Sequence, residues 1–105
     1  MEGGAISNAY YAADVATFIT TAPEAILGTL ATNTDFPVDA TQRDAWLGQI
    51  EILKPALEGV KGYIFLEFVV PRIGSRIDAV LIVGPIIFVI EFKVGEKEIK
   101  REDIN

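Results

Sequence analysis

Asp78, Glu91 and Lys93 are the residues of this chain whose types and spacing can do chemistry. Ala79 to Val83 and Ile86 to Ile90 are almost entirely Val, Ile, Leu and Phe, so they read as buried strands. Gly84-Pro85 between them reads as a two-residue loop, which makes cross-strand position numbers sum to 169. Asp78 then faces Glu91, and Arg76 faces Lys93. Like charges directly opposite one another destabilise a sheet by a few tenths to roughly 1 kcal/mol. At the end of an apolar hairpin the penalty grows, because burial also disfavours each ionised form. A divalent cation is the simplest group that makes such a pair favourable. Glu91 and Lys93 share one strand face, about 7 Å apart. Two carboxylates for a metal and a lysine to orient or deprotonate a nucleophile are the parts that metal-assisted phosphodiester hydrolysis uses. The same charges also fit a plainer role, in which the sheet meets water and Lys93 pairs with Asp78.

Composition narrows the chemistry further. The chain has no cysteine and no histidine, which excludes thiolate zinc sites, cysteine nucleophiles, Ser-His-Asp triads and most transition-metal ligation. A hard, oxygen-seeking ion such as magnesium or manganese is what the remaining donors suit. With 105 residues, half of them hydrophobic, one globular domain is expected. The longest apolar stretch, Ala79 to Ile90, is broken by Gly-Pro and falls short of the roughly 20 residues of a spanning helix. No N-terminal basic region precedes an apolar core, so a soluble, cytoplasmic protein without a membrane partner is expected. The net charge of −6 argues against strong autonomous nucleic-acid binding. Most of the basic residues, however, lie in the half that carries Asp78 and Glu91.

These residues must be positioned by two unlike halves, a helical one (1–59) and a β-rich one (60–105). Ala-rich Asn8 to Thr20 reads as a first helix with Ser7 as its cap, and Thr21-Ala22-Pro23-Glu24 opens a second, through about Ala31. A loop follows from Asn33 to Ala40. Thr41 then caps a third helix from Gln42 to about Leu57, with Trp46, Ile50, Leu53 and Leu57 on one face and Pro55 near its end. Tyr63 to Val70 is a first strand, a second begins near Arg76, and a third runs from Ile86 to about Val94. The fold class is therefore α/β (α+β), helices followed by a three-stranded, mainly antiparallel meander. The strands read as apolar on both faces, so a homo-oligomer is expected, with Ile64, Leu66, Phe68, Ile86, Phe88 and Ile90 leaving a face that short helices cannot cover.

Asp78, twelve intervening residues and Glu91-Phe92-Lys93 resemble the signature of the PD-(D/E)XK nuclease superfamily. The longer run YIFLEFVVPRIGSRIDAVLIVGPIIFVIEFKVGEKE, with the flanking TQRDAWLGQIEILKPAL, is similar to the N-terminal nuclease-like domain of bacterial proteins that continue into a helicase-type ATPase domain. The resemblance implies a truncated restriction-endonuclease-like core, with Asp78, Glu91 and the Phe92 carbonyl as ligands of Mg²⁺ or Mn²⁺ and Lys93 as the catalytic lysine. It also implies nucleic acid as substrate and a downstream ATPase domain, since no P-loop is present here. Many superfamily members add an acid from the first core helix. Glu51 is the candidate for that position, and Glu67, on the first strand, is the alternative. Arg72 and Arg76 are candidates to hold phosphate, and Arg76 equally suits neutralising Asp78 or Glu91. Two functions follow as expectations: a metal-dependent nuclease domain, or a non-catalytic module of the same ancestry that oligomerises through its sheet.

Overall fold

Gly84 takes a φ of 58° at the first position of the loop that closes the hairpin, as a two-residue turn of the twist-matched kind requires. The computed structural model describes residues 8–93. In chain order they form β1 (Ala9–Asp14), α1 (Val15–Thr20), α2 (Pro23–Asn33), α3 (Ala40–Ala56), β2 (Tyr63–Val69), β3 (Arg76–Val83) and β4 (Ile86–Ile90). The strands make one antiparallel sheet in the order β1-β2-β3-β4. The fold is mixed α+β, and the meander expected from the sequence is present with one further strand on its flank. Val83 pairs with Ile86 and Ala79 with Ile90, so the register set by Gly84-Pro85 holds along the ladder.

The added strand replaces most of the helix expected over Asn8 to Thr20. Alanine in Ala9–Ala13 favours a helix locally, but Tyr11 pairs with Leu66 and Ala13 with Ile64. The backbone hydrogen bonds of β2 and the burial of Tyr11 outweigh that local preference. Only Val15–Thr20 remains helical, and its cap is Asp14, whose carboxylate accepts the Thr17 N–H at 2.7 Å. Ser7, the expected cap, lies outside the described residues. The other caps also shift. Ala22 precedes α2, while the Thr21 hydroxyl donates to the Thr17 carbonyl at 2.6 Å. Asp39 caps α3 by accepting the Gln42 N–H at 2.8 Å, ahead of Thr41. Pro55 stands in the last turn of α3 without ending it early.

Helices and sheet enclose one core. Trp46, Ile50 and Leu53 of α3, with Leu57 just beyond, are buried as the stripe on that helix requires, against Phe18, Ile26, Leu30, Ile64 and Leu66. Lys54 reaches across to α1, where its Nζ donates to the carbonyls of Phe18, Ile19 and Thr21 at 2.6, 2.8 and 2.7 Å. A cation there adds a charged donor to carbonyls at the C-terminal end of α1. Burial pushes the Lys54 ammonium below the usual lysine range. Asn33 Nδ2 donates to the Tyr10 carbonyl at 2.8 Å and ties α2 to β1.

The expectation of two buried strands holds for only one. Ala79, Val80 and Leu81 of β3 are buried, but Ile86, Ile87, Phe88 and Val89 of β4 are 53, 64, 45 and 62% exposed. The helices pack over β1 and β2, so the sheet outruns its cover and β4 becomes an edge. Ile64 and Leu66, expected on an uncovered face, are covered. Among the described residues no helix is long and apolar enough to cross a membrane.

Candidate functional site

Glu67 breaks the alternation of β2. Ile64 and Leu66 point into the core, and Glu67, the next residue, is buried as well. Its φ is 55°, in the left-handed region that a non-glycine residue rarely occupies. The rungs on either side keep one register, Leu66 to Ala79 and Phe68 to Ile77, with no residue inserted. The backbone is therefore turned at a single position, at a cost of about 1–3 kcal/mol. What the turn achieves is visible in the carboxylate. Oε2 accepts the Trp46 Nε1–H at 3.0 Å and Oε1 accepts the Arg76 Nε–H at 2.8 Å. The Arg76 guanidinium lies over the rings of Phe36 and Tyr10, 4.9 and 5.8 Å from their centroids. This ion pair, buried at Glu67 and open to water at Arg76, sits beside an open cleft lined in part by Tyr10, Asn33, Asp35, Phe36 and Arg76.

Asp78 lies two residues along β3 from Arg76 and is half-buried. Its Oδ2 accepts the Phe92 N–H at 2.9 Å. The β3–β4 ladder ends at Ala79 and Ile90, so the Asp78 carboxylate stands where a further backbone rung would be. Asp78 and the Glu91-Phe92-Lys93 segment are thereby brought together. Phe92 packs on the edge of the core, while Glu91 and Lys93 are exposed. Among the described residues, Asp78 has no ion pair: Arg76 is paired with Glu67 instead.

The remaining candidates are dispersed. Arg72 is exposed in the β2–β3 connection with a φ of 75°. Glu51 is exposed on α3, away from the core-facing Trp46 and Ile50. Among the described residues no three acidic side chains gather into a group that could hold a metal ion. The fit of a cation to this chain therefore rests on Asp78, Glu91 and the Phe92 carbonyl. That set suits magnesium in kind, since magnesium is held by one or two carboxylates and keeps several waters. Trp46, Tyr10 and Phe36 were not legible as partners of charged groups. Trp46 reads as core from its helical spacing, and nothing local marks the other two.

The fold and this pair of acidic positions define an α+β domain with a meander sheet and a carboxylate-bearing hairpin end. The chain matches no family model, no curated protein and no solved structure.

Proposed function

We propose that this is a nuclease-like domain that acts on the phosphodiester bonds of DNA or RNA with Mg²⁺ or Mn²⁺. The observation that carries the reading is the Asp78 carboxylate held against the Phe92 amide. That contact fixes one carboxylate at the segment that also supplies Glu91, the Phe92 carbonyl and Lys93. Asp78, Glu91 and the Phe92 carbonyl would hold the ion, which when bound would polarise a phosphate and acidify its water. Lys93, exposed and two residues from Glu91, would orient the attacking water or take up its proton. Arg72 suits a more distant phosphate contact. Arg76 is committed to Glu67 through Nε and keeps only its terminal nitrogens for substrate. The family resemblance adds an ATPase domain as a partner of the same protein.

A second reading, a non-catalytic module of the same ancestry, has its own support. Both oxygens of Glu67 are engaged by Trp46 and Arg76, so Glu67 serves the fold and not as a further metal ligand.

Asp78→Asn separates the two. Asparagine keeps a carbonyl oxygen for the Phe92 N–H, so thermal unfolding is expected to change little. The lost charge is expected to weaken Mn²⁺ binding by at least about tenfold in calorimetry and to abolish cleavage of single- and double-stranded oligonucleotides. Equal Mn²⁺ affinity in both proteins sinks the metal assignment. Lys93→Arg retains charge but changes donor geometry. It is expected to bind Mn²⁺ and oligonucleotide as wild type does while cutting at least about 100-fold more slowly. An arginine variant that cuts at the wild-type rate removes Lys93 from the chemistry.

A further inference from the structure

We propose that β4 is the contact through which two copies of this chain associate. Its free edge pairs antiparallel with the same strand of the second copy about a twofold axis at Phe88. The inference does not depend on the metal-site reading, because it rests on a different part of the hairpin.

An edge strand with unpaired N–H and C=O groups is a template for another chain, and proteins usually blunt it with charges, proline or a covering element. Among the described residues β4 has none of these along its length. Ile86 to Ile90 contains no charged residue, Pro85 stands before the strand, and Ile86 to Val89 are all exposed. Ile86 and Phe88 lie on one face of the sheet and Ile87 and Val89 on the other, so the strand is apolar on both sides of its edge.

The hairpin geometry sets the register of the pairing. Residues flanking a two-residue loop form a hydrogen-bonded pair, and such pairs alternate along the ladder. Ile86, Phe88 and Ile90 therefore direct their backbone groups toward β3. Ile87 and Val89 present theirs at the free edge. An axis at Phe88 sets Ile87 of one copy opposite Val89 of the other, and each such pair exchanges both of its backbone hydrogen bonds. Ile86 falls opposite Ile90, so every cross-strand pair is apolar and no like charges meet.

The chain's own residues 94–105 are a poorer occupant. Most are charged, and the apolar ones, Val94, Ile99 and Ile104, lack the alternate spacing of a strand face. A second copy supplies both the edge and the apolar surface in matching order. A strand pair of five residues from each copy, apolar on both faces, makes an interface at the low end of specific ones, so a dissociation constant on the order of 10 µM is expected.

Sedimentation equilibrium of the full 105-residue chain over micromolar to millimolar concentration tests this. A monomer–dimer equilibrium is expected, and Val89→Lys, at an exposed position, is expected to weaken it by at least tenfold with an unchanged circular dichroism spectrum. The chain has no cysteine, so single-cysteine variants report the register. Phe88→Cys is expected to oxidise to a linked dimer, because that residue meets itself across the axis at a separation a disulfide spans. Ile86→Cys is expected to stay unlinked. A chain that stays monomeric throughout, or a Val89→Lys variant as dimeric as wild type, overturns the proposal. Linking through Ile86→Cys and not through Phe88→Cys overturns its register.

Discussion

Replacing Glu67 with alanine is expected to destabilise the domain by about 2–4 kcal/mol. The substitution strips two buried or half-buried donors of their acceptor, Trp46 Nε1–H and the Arg76 guanidinium. Leaving the buried Trp46 donor without an acceptor costs about 1–3 kcal/mol, and the lost ion pair adds about 1 kcal/mol or less, because the Arg76 side chain is 37% exposed. A domain of this size has a total stability of only about 5–15 kcal/mol. Alanine also retains a Cβ, so the left-handed backbone at this position is relieved of none of its strain. Glu67→Gln offers one oxygen and loses the charge, so a smaller loss of about 1–2 kcal/mol is expected. Trp46 is the chain's one tryptophan, and its emission during urea unfolding reads both variants directly. A Glu67→Ala midpoint within experimental error of wild type would mean that the carboxylate contributes no net stability.

Gly62→Ala is expected to be comparably severe for a different reason. A Cβ at Gly62 would overlap the backbone carbonyl oxygen of Ile82, and it would also crowd the Val83 side chain at 3.2 Å. Backbone cannot swing aside as a side-chain tip can, so the β2–β3 pairing must open locally. The Gly62 carbonyl also accepts the Val15 N–H at 2.8 Å, so the displacement reaches α1. A loss of about 3 kcal/mol is expected. Gly28→Ala is the control. It lies within α2, exposed, with open space where the Cβ would go. There alanine is expected to stabilise by about 0.5–1 kcal/mol. Similar midpoints for the two variants would rule out close approach as the reason for glycine at position 62.

Where local chemistry decides the structure, the residues announced it. Gly84-Pro85 fixes a two-residue turn, and the turn fixes every rung from Val83–Ile86 to Ala79–Ile90. The spacing of Trp46, Ile50, Leu53 and Leu57 leaves one helical face to bury, and that face is buried. Ala9 to Asp14 is the opposite case. Its residues form a strand because β2, 49 to 59 residues downstream, offers an edge and the core needs Tyr11. The exposure of β4 has a similar origin. Its apolar residues are those of a buried strand, but burial depends on how far the helices extend across the sheet.

The candidate site divides in the same way. The approach of Asp78 to Glu91-Phe92 follows from the turn and can be read from position numbers alone. The hydrogen bond from the Phe92 amide refines it by one residue. The role of Glu67 has no local sign. Alternation places it on the opposite face from Leu66, and only the turned backbone brings it to Trp46. Arg76 was weighed against Asp78 and Glu91 as partners, and it takes Glu67, nine residues away across the β2–β3 connection.

The placement of β1 also governs the order of assembly. The meander of β2, β3 and β4 closes through short connections, whereas Asp14 must find Tyr63 across the whole helical segment. Loop-closure entropy makes that contact the slowest to form. During synthesis β1 leaves the ribosome long before the strand it pairs with exists, and its backbone groups meanwhile have only water or a transient helix to bind. Its alanine-rich sequence, which misleads a reader about the final fold, suits that interval. A segment with no β-branched residue has little to pair with on its own, and it becomes a strand when β2 arrives to complete it.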